Sequence, residues 1–102
     1  MHLIQLLLPL YDNDGARQPD DLFRRVRTEL TERFGGLTAY SRAPAHGAWQ
    51  DDAGHTDHDD IVVYEVMVET VDAAWWSAYR EQLENAFRQR QLVVRAQEIT
   101  LL

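Results

Sequence analysis

Between Ile61 and Val71 the chain alternates so regularly that a half-covered β-strand is the reading it imposes. Val62, Tyr64, Val66 and Val68 fall on one side, and Ile61, Val63, Glu65, Met67 and Glu69 on the other. Successive side chains of a strand point to opposite faces, so this period of two assigns one face to a core and leaves the other for a different purpose. The first set is apolar throughout and suits a layer of helices. The second mixes apolar residues with carboxylates. The remainder of a 102-residue chain has to supply the partner strands and the covering helices.

The flanking segments read in those terms. Leu3–Leu10 is a continuous apolar run, as expected for a central strand covered on both faces. Asp12-Asn-Asp-Gly15 supplies turn chemistry. Pro19 can open a helix, because its missing N–H would be an orphan donor there, and Asp20 and Asp21 place negative charge at the positive end of the helix dipole. Leu22, Phe23, Val26, Leu30 and Phe34 recur at helical spacing, and Gly35-Gly36 ends the helix. Leu37–Ala43 reads as a strand stopped by Pro44, and the acidic Gln50–Asp60 segment as a solvated hairpin loop. Asp72 is an N-cap for a second helix of roughly 18 residues. Its core stripe is Trp76, Tyr79, Leu83, Ala86 and Phe87, with Trp75 at the edge. Leu92–Leu102 is a last strand.

The order βαββαβ, with two right-handed crossovers, predicts an α+β domain over residues 1–102. It is the ferredoxin-like arrangement: a four-stranded antiparallel sheet in spatial order 4-1-3-2, with two helices on one face. An apolar fraction of 45% and three tryptophans argue for a folded globule. The net charge of −7, with arginine as the sole basic residue type, repels phosphate backbones and argues against nucleic acid as a partner. The absence of cysteine excludes disulfides and thiolate metal sites. The apolar N-terminal stretch lacks a basic leader, is broken by Gln5 and Pro9 and is too short for a membrane span, so the expectation is a cytoplasmic protein with no membrane partner.

One sheet face is left open by this topology. Leu3, Gln5, Leu7 and Tyr11 of the first strand fall on it, with Thr38, Tyr40 and Arg42 of the second and Val93, Arg95, Gln97 and Ile99 of the fourth. Small Ala39, Ser41 and Ala43 suit the helix-covered side. The open face is therefore apolar with a polar belt of Gln5, Arg42, Glu65, Arg95 and Gln97. A second copy of the chain is the simplest cover, through a two-fold contact. The pattern resembles the dimeric α+β barrel superfamily, which implies a homodimer with sheets packed face to face. Arg33-Phe-Gly-Gly-Leu-Thr38, Gly47-Ala-Trp49, Tyr79, Phe87-Arg88-Gln89 and Val94-Arg95 also resemble a set of small bacterial domains of unknown function, a likeness that brings no activity with it.

Two functions fit these residues. The first is a homodimeric small-molecule-binding or structural domain with no chemistry of its own. A ligand would be a small apolar or carboxylate-bearing molecule touching Gln5, Tyr40, Trp49, Met67, Arg95 and Gln97. The alternative is a cofactor-independent enzyme of isomerase or monooxygenase type. In it Glu65 would act as base, Arg42 as oxyanion stabiliser and His46 or Tyr40 as acid. The bland reading of Arg42 and Glu65 is a structural ion pair. His55 and His58 stand among aspartates, but a loop of clustered charge is more often solvated than metal-binding. Neither a metal nor a cofactor is expected.

Overall fold

A computed structural model describes the backbone of residues 1–50 and 56–102, and the side chains of residues 1–40 and 60–102. Its elements are β1 (His2–Pro9), α1 (Asp20–Phe34), β2 (Thr38–Gln50), β3 (Thr56–Val68), α2 (Ala73–Ala86) and β4 (Val93–Glu98). The four strands form one antiparallel sheet in the order β2-β3-β1-β4. This is the expected order read from the other edge, and with both helices on one face the fold is α+β and ferredoxin-like.

The alternation in β3 does what its pattern requires. Val62, Tyr64, Val66 and Val68 are buried, together with Ile4, Leu6 and Leu8 of β1. The same core takes Phe23, Val26 and Leu30 from α1 and Trp76, Tyr79 and Leu83 from α2. Burying side chains of this size stabilises by about 1.5–3 kcal/mol each. β1 corrects one expectation: it is not covered on both faces, for Leu3, Gln5 and Leu7 stay half-buried while their neighbours are sealed. A continuous apolar run thus hides a one-sided strand. Polar bonds tie the helices to each other and to the sheet. Arg27 donates to the Tyr64 hydroxyl at 2.8 Å, and the buried Gln18 amide donates to the Phe87 carbonyl at 2.6 Å.

The helix ends follow local chemistry. Gly35 sits in the left-handed region at φ 80° and its N–H closes onto the Thr31 carbonyl at 2.8 Å. That conformation is costly for a residue with a Cβ. Pro19 precedes the first helical residue and occupies the cap position with extended backbone, rather than the first turn. Asp72 caps α2 by accepting from the Trp75 N–H at 3.1 Å.

Strand boundaries differ more. β2 continues past Pro44 to Gln50, and β3 begins at Thr56, so most of the expected acidic loop is a long hairpin. A register shift between Tyr40 and Ala45 contains the proline, and β2 is an edge strand. Proline is tolerated at such a bulge because no ladder donor is needed there. Ala39 is exposed, not beneath a helix, since the helices cover the inner strands. β3 ends at Val68 instead of Val71. α2 is 14 residues long, and β4 is confined to Val93–Glu98 with Leu92 buried ahead of it. No helix among the described residues is long and apolar enough to cross a membrane.

Candidate functional site

Glu65 lies near the middle of the open face because β3 is an inner strand and odd-numbered positions point away from the helices. The register sets Gln5 opposite it on β1 and Thr38 opposite it on β2, with Arg95 of β4 opposite Gln5 in turn. These side chains form a hydrogen-bonded line. Arg95 Nε donates to Gln5 Oε1 at 2.8 Å, and Gln5 Nε2 donates to Glu65 Oε2 at 2.7 Å. The Gln5 amide is thereby oriented, its oxygen toward the cation and its nitrogen toward the carboxylate. From β2 the Tyr40 hydroxyl also bonds to Glu65. That interaction, reinforced by the carboxylate charge and slight desolvation, raises the phenol above its ordinary pKa. All four strands contribute one member.

Beside this line a depression of ≈ 360 Å³ is walled by Leu3, Phe34, Gly36, Thr38, Glu65 and Met67. α1 ends here, so the negative end of its dipole borders the same space. The Arg33 guanidinium is laid on the Trp75 ring, 4.1 Å from its centroid. A carboxylate and a helix C-terminus on polar walls, with Leu3, Phe34 and Met67 on apolar ones, suit a ligand that is positively charged and partly apolar.

Of the belt expected from the sequence, Gln5, Glu65 and Arg95 are joined here, with Tyr40 beside them and Met67 as a wall. Gln97 stands opposite Leu3, two positions from the Gln5–Arg95 pairing. The register places Thr38, not Arg42, across from Glu65, and Gln5 and Tyr40 are its hydrogen-bond partners. The side chains of Arg42, His46, Trp49 and His58 lie outside the described residues, as does His55 altogether. Among the described residues no cluster of histidine and carboxylate has metal-binding geometry. The sequence pattern did not single out Thr38, Phe34 and Gly36 as pocket walls. The signal for them was the glycine pair leading directly into a strand, which brings a helix end against the sheet.

No family model matches the chain, and no curated protein does. Solved structures do. A phage SAM lyase in complex with S-methyl-5′-thioadenosine superposes with a TM-score of 0.64 at 14% identity, covering 95% of this chain and 80% of that one. A phage SAM lyase in its apo state gives 0.60 at 12% identity, covering 94% and 78%. At these identities the likeness establishes the fold. Both of these neighbours are enzymes, of another reaction class than either reading of the sequence supplied, and this corrects the assignment as a binding or structural domain without chemistry, with an isomerase or monooxygenase as its alternative.

Proposed function

We propose that this chain is a lyase for a sulfonium-bearing adenosine derivative, S-adenosylmethionine in the first instance, and that Glu65 anchors the cationic part of the substrate. The observation that carries this reading is the placement of Glu65, held by Gln5 and Tyr40 at the edge of a pocket that also meets the carbonyl end of α1. Such a site attracts cations, and a net charge of −7 steers them toward it. The likeness to phage SAM lyases supports the substrate class.

The chemistry asks little of the protein. When the carbon–sulfur bond breaks, the sulfur keeps the bonding pair and leaves as a neutral thioether, S-methyl-5′-thioadenosine. The carbon it leaves is filled by the substrate's own carboxylate oxygen, closing a lactone, and no proton is transferred. Two donors already occupy Glu65, which suits an anchor better than a proton acceptor. The enzyme's contribution is then to hold the chain of the substrate folded so that oxygen and carbon meet in line.

A second copy of the chain completes the enclosure in this reading. Tyr40, Met67 and Val93 on the open face are exposed, and self-association through it would cover them together with the pocket mouth. Chromatography of S-adenosylmethionine incubated with the protein should show S-methyl-5′-thioadenosine above the spontaneous background. Glu65→Gln should reduce that rate by about 100-fold, the usual scale for losing one strong electrostatic contact in a site. Sedimentation should show an assembly that Met67→Arg disrupts. Background-level thioether from the wild type, or full activity in Glu65→Gln, would end the assignment.

A further inference from the structure

On the helix-covered side, between the first half of α2 and β4, lies a second cavity of ≈ 190 Å³. Its apolar walls are Ile4, Val71, Trp76 and Val94, and α2 adds Ala73, Ser77 and Arg80 along one side. Those three residues stand four and three apart, so they share one face of the helix. Ile4 and Gln5 are neighbours in β1 whose side chains point to opposite faces, so the cavity lies across the sheet from the lyase site; Arg95, which donates to Gln5 on the open face, also borders it.

Arg80 is the unexplained group in it. Its Nε is buried and has no hydrogen-bond partner. The acidic residue one turn on does not serve it, because Glu84 Oε2 accepts from the Leu92 N–H at 2.9 Å. Arg80 as a residue is half-buried, but a donor nitrogen sealed from water without an acceptor is costly, and native proteins rarely leave one so. The other orphaned buried side-chain nitrogen among the described residues, His2 Nδ1, is not part of the cavity's lining.

We propose that this cavity is a second binding site, taking a small monocarboxylic acid with a compact apolar body. The guanidinium of Arg80 supplies the charge-assisted bonds to the carboxylate, with Nε as one donor of a bidentate pair. Ser77 adds a hydroxyl, and the start of α2 contributes the positive end of its dipole. The body of the acid lies against Trp76, Val71 and Val94. A dry cavity of about 150 Å³ holds a benzene-sized molecule, so an aromatic or short branched acid fits the volume.

Benzoate is the probe, with benzamide as its uncharged counterpart. In nitrogen-15-labelled protein the Arg80 Nε–H resonance should move saturably on adding benzoate and stay in place with benzamide or chloride. Arg80→Met should weaken benzoate binding by about tenfold or more, as loss of a charge-assisted pair does. Ser77→Leu, a change at an exposed position that crowds the cavity, should weaken it as well. An unmoved Arg80 resonance, an equal response to benzamide or chloride, or undiminished binding by Ser77→Leu would each overturn the proposal. Because the wild-type resonance decides the matter, the proposal stays testable even if Arg80→Met does not fold. Failure here leaves the lyase assignment untouched, since no step of that reaction uses the cavity.

Discussion

Two tyrosine–glutamate pairs occupy the two faces of this sheet, and they do different work with the same chemistry. Tyr79 on α2 donates to Glu29 on α1 at 2.9 Å, and the tyrosine is 5% exposed. Burial is the main reason its phenol is raised above the ordinary range, with the Glu29 bond second and Arg25 opposing. Glu29 is also engaged by Arg25 at 3.4 Å, so both partners of this surface carboxylate come from the protein and the pair clamps helix to helix. Tyr40, 51% exposed, bonds to Glu65 across the open face, and there the bond itself leads and burial comes last. Glu65 borders a pocket. The difference lies in what surrounds the carboxylate: the first sits at the helix surface between two protein partners, the second at the rim of a pocket.

If the faces differ in this way, neighbouring residues should differ in cost. Leu6 is fully buried and Leu7 is half-buried on the open side. Leu6→Ala should destabilise by about 2–5 kcal/mol, the range for emptying a core position. Leu7→Ala should cost well under half of that in dissociated protein, with its main effect on association. Urea melts of both variants at low concentration make the comparison, and equal losses would erase the distinction between the faces.

The glycine pair offers a sharper contrast at smaller energy. Gly35 holds φ 80°, while Gly36 has ordinary backbone, and a Cβ on it meets nothing within 4 Å. Gly35→Val should lose about 1–2 kcal/mol to the left-handed conformation alone. Gly36→Val should fold with nearly unchanged stability, within about 0.5 kcal/mol. It projects into the pocket beside Glu65, however, so it should weaken substrate binding. Thermal melts set beside KM for S-adenosylmethionine test both halves. A Gly36→Val protein that binds normally would show that the pocket is not the site.

The sequence displayed the two faces because alternation is a local property, and Val62 to Glu69 carry it without interruption. Strand order followed from the count and connection of elements. Gln5, Tyr40, Glu65 and Arg95 were legible for the same reason: parity alone puts them on one side. Parity does not, however, fix who stands opposite whom. A bulge between Tyr40 and Ala45 sets the pairing of β2, and no residue pattern announced it. The length of β2 was hidden by Pro44, which reads as a terminator unless the strand is already known to be an edge. The proposed reaction class was not legible at all. A carboxylate anchored by an amide and a phenol comes from residues spread over positions 5 to 65, with no fixed spacing for a motif to record.

The smallest effect separates the two tyrosines. Tyr79→Phe removes one well-placed bond and should cost about 0.5–1.5 kcal/mol near neutral pH. It should also change the alkaline limb of stability, and the sign follows from the raised phenol. Below about pH 10, the ordinary tyrosine value, the phenol is protonated in both the folded and the unfolded state and the contribution is complete. As pH rises past that value the unfolded state loses the proton while the folded state retains it, so stability falls until the folded phenol ionises too. Tyr79→Phe should therefore show a shallower decline above that pH than the wild type. Tyr40 is too exposed for its bond to hold the fold together, so Tyr40→Phe should melt where the wild type melts at neutral pH. What it should lose is lyase rate, because Glu65 is left with Gln5 as its donor and is free to swing from the pocket. Melting curves at neutral and alkaline pH, paired with the rate of thioether release, read both variants together. A Tyr40→Phe protein with full activity would reduce its pair to the same structural role as the one between the helices.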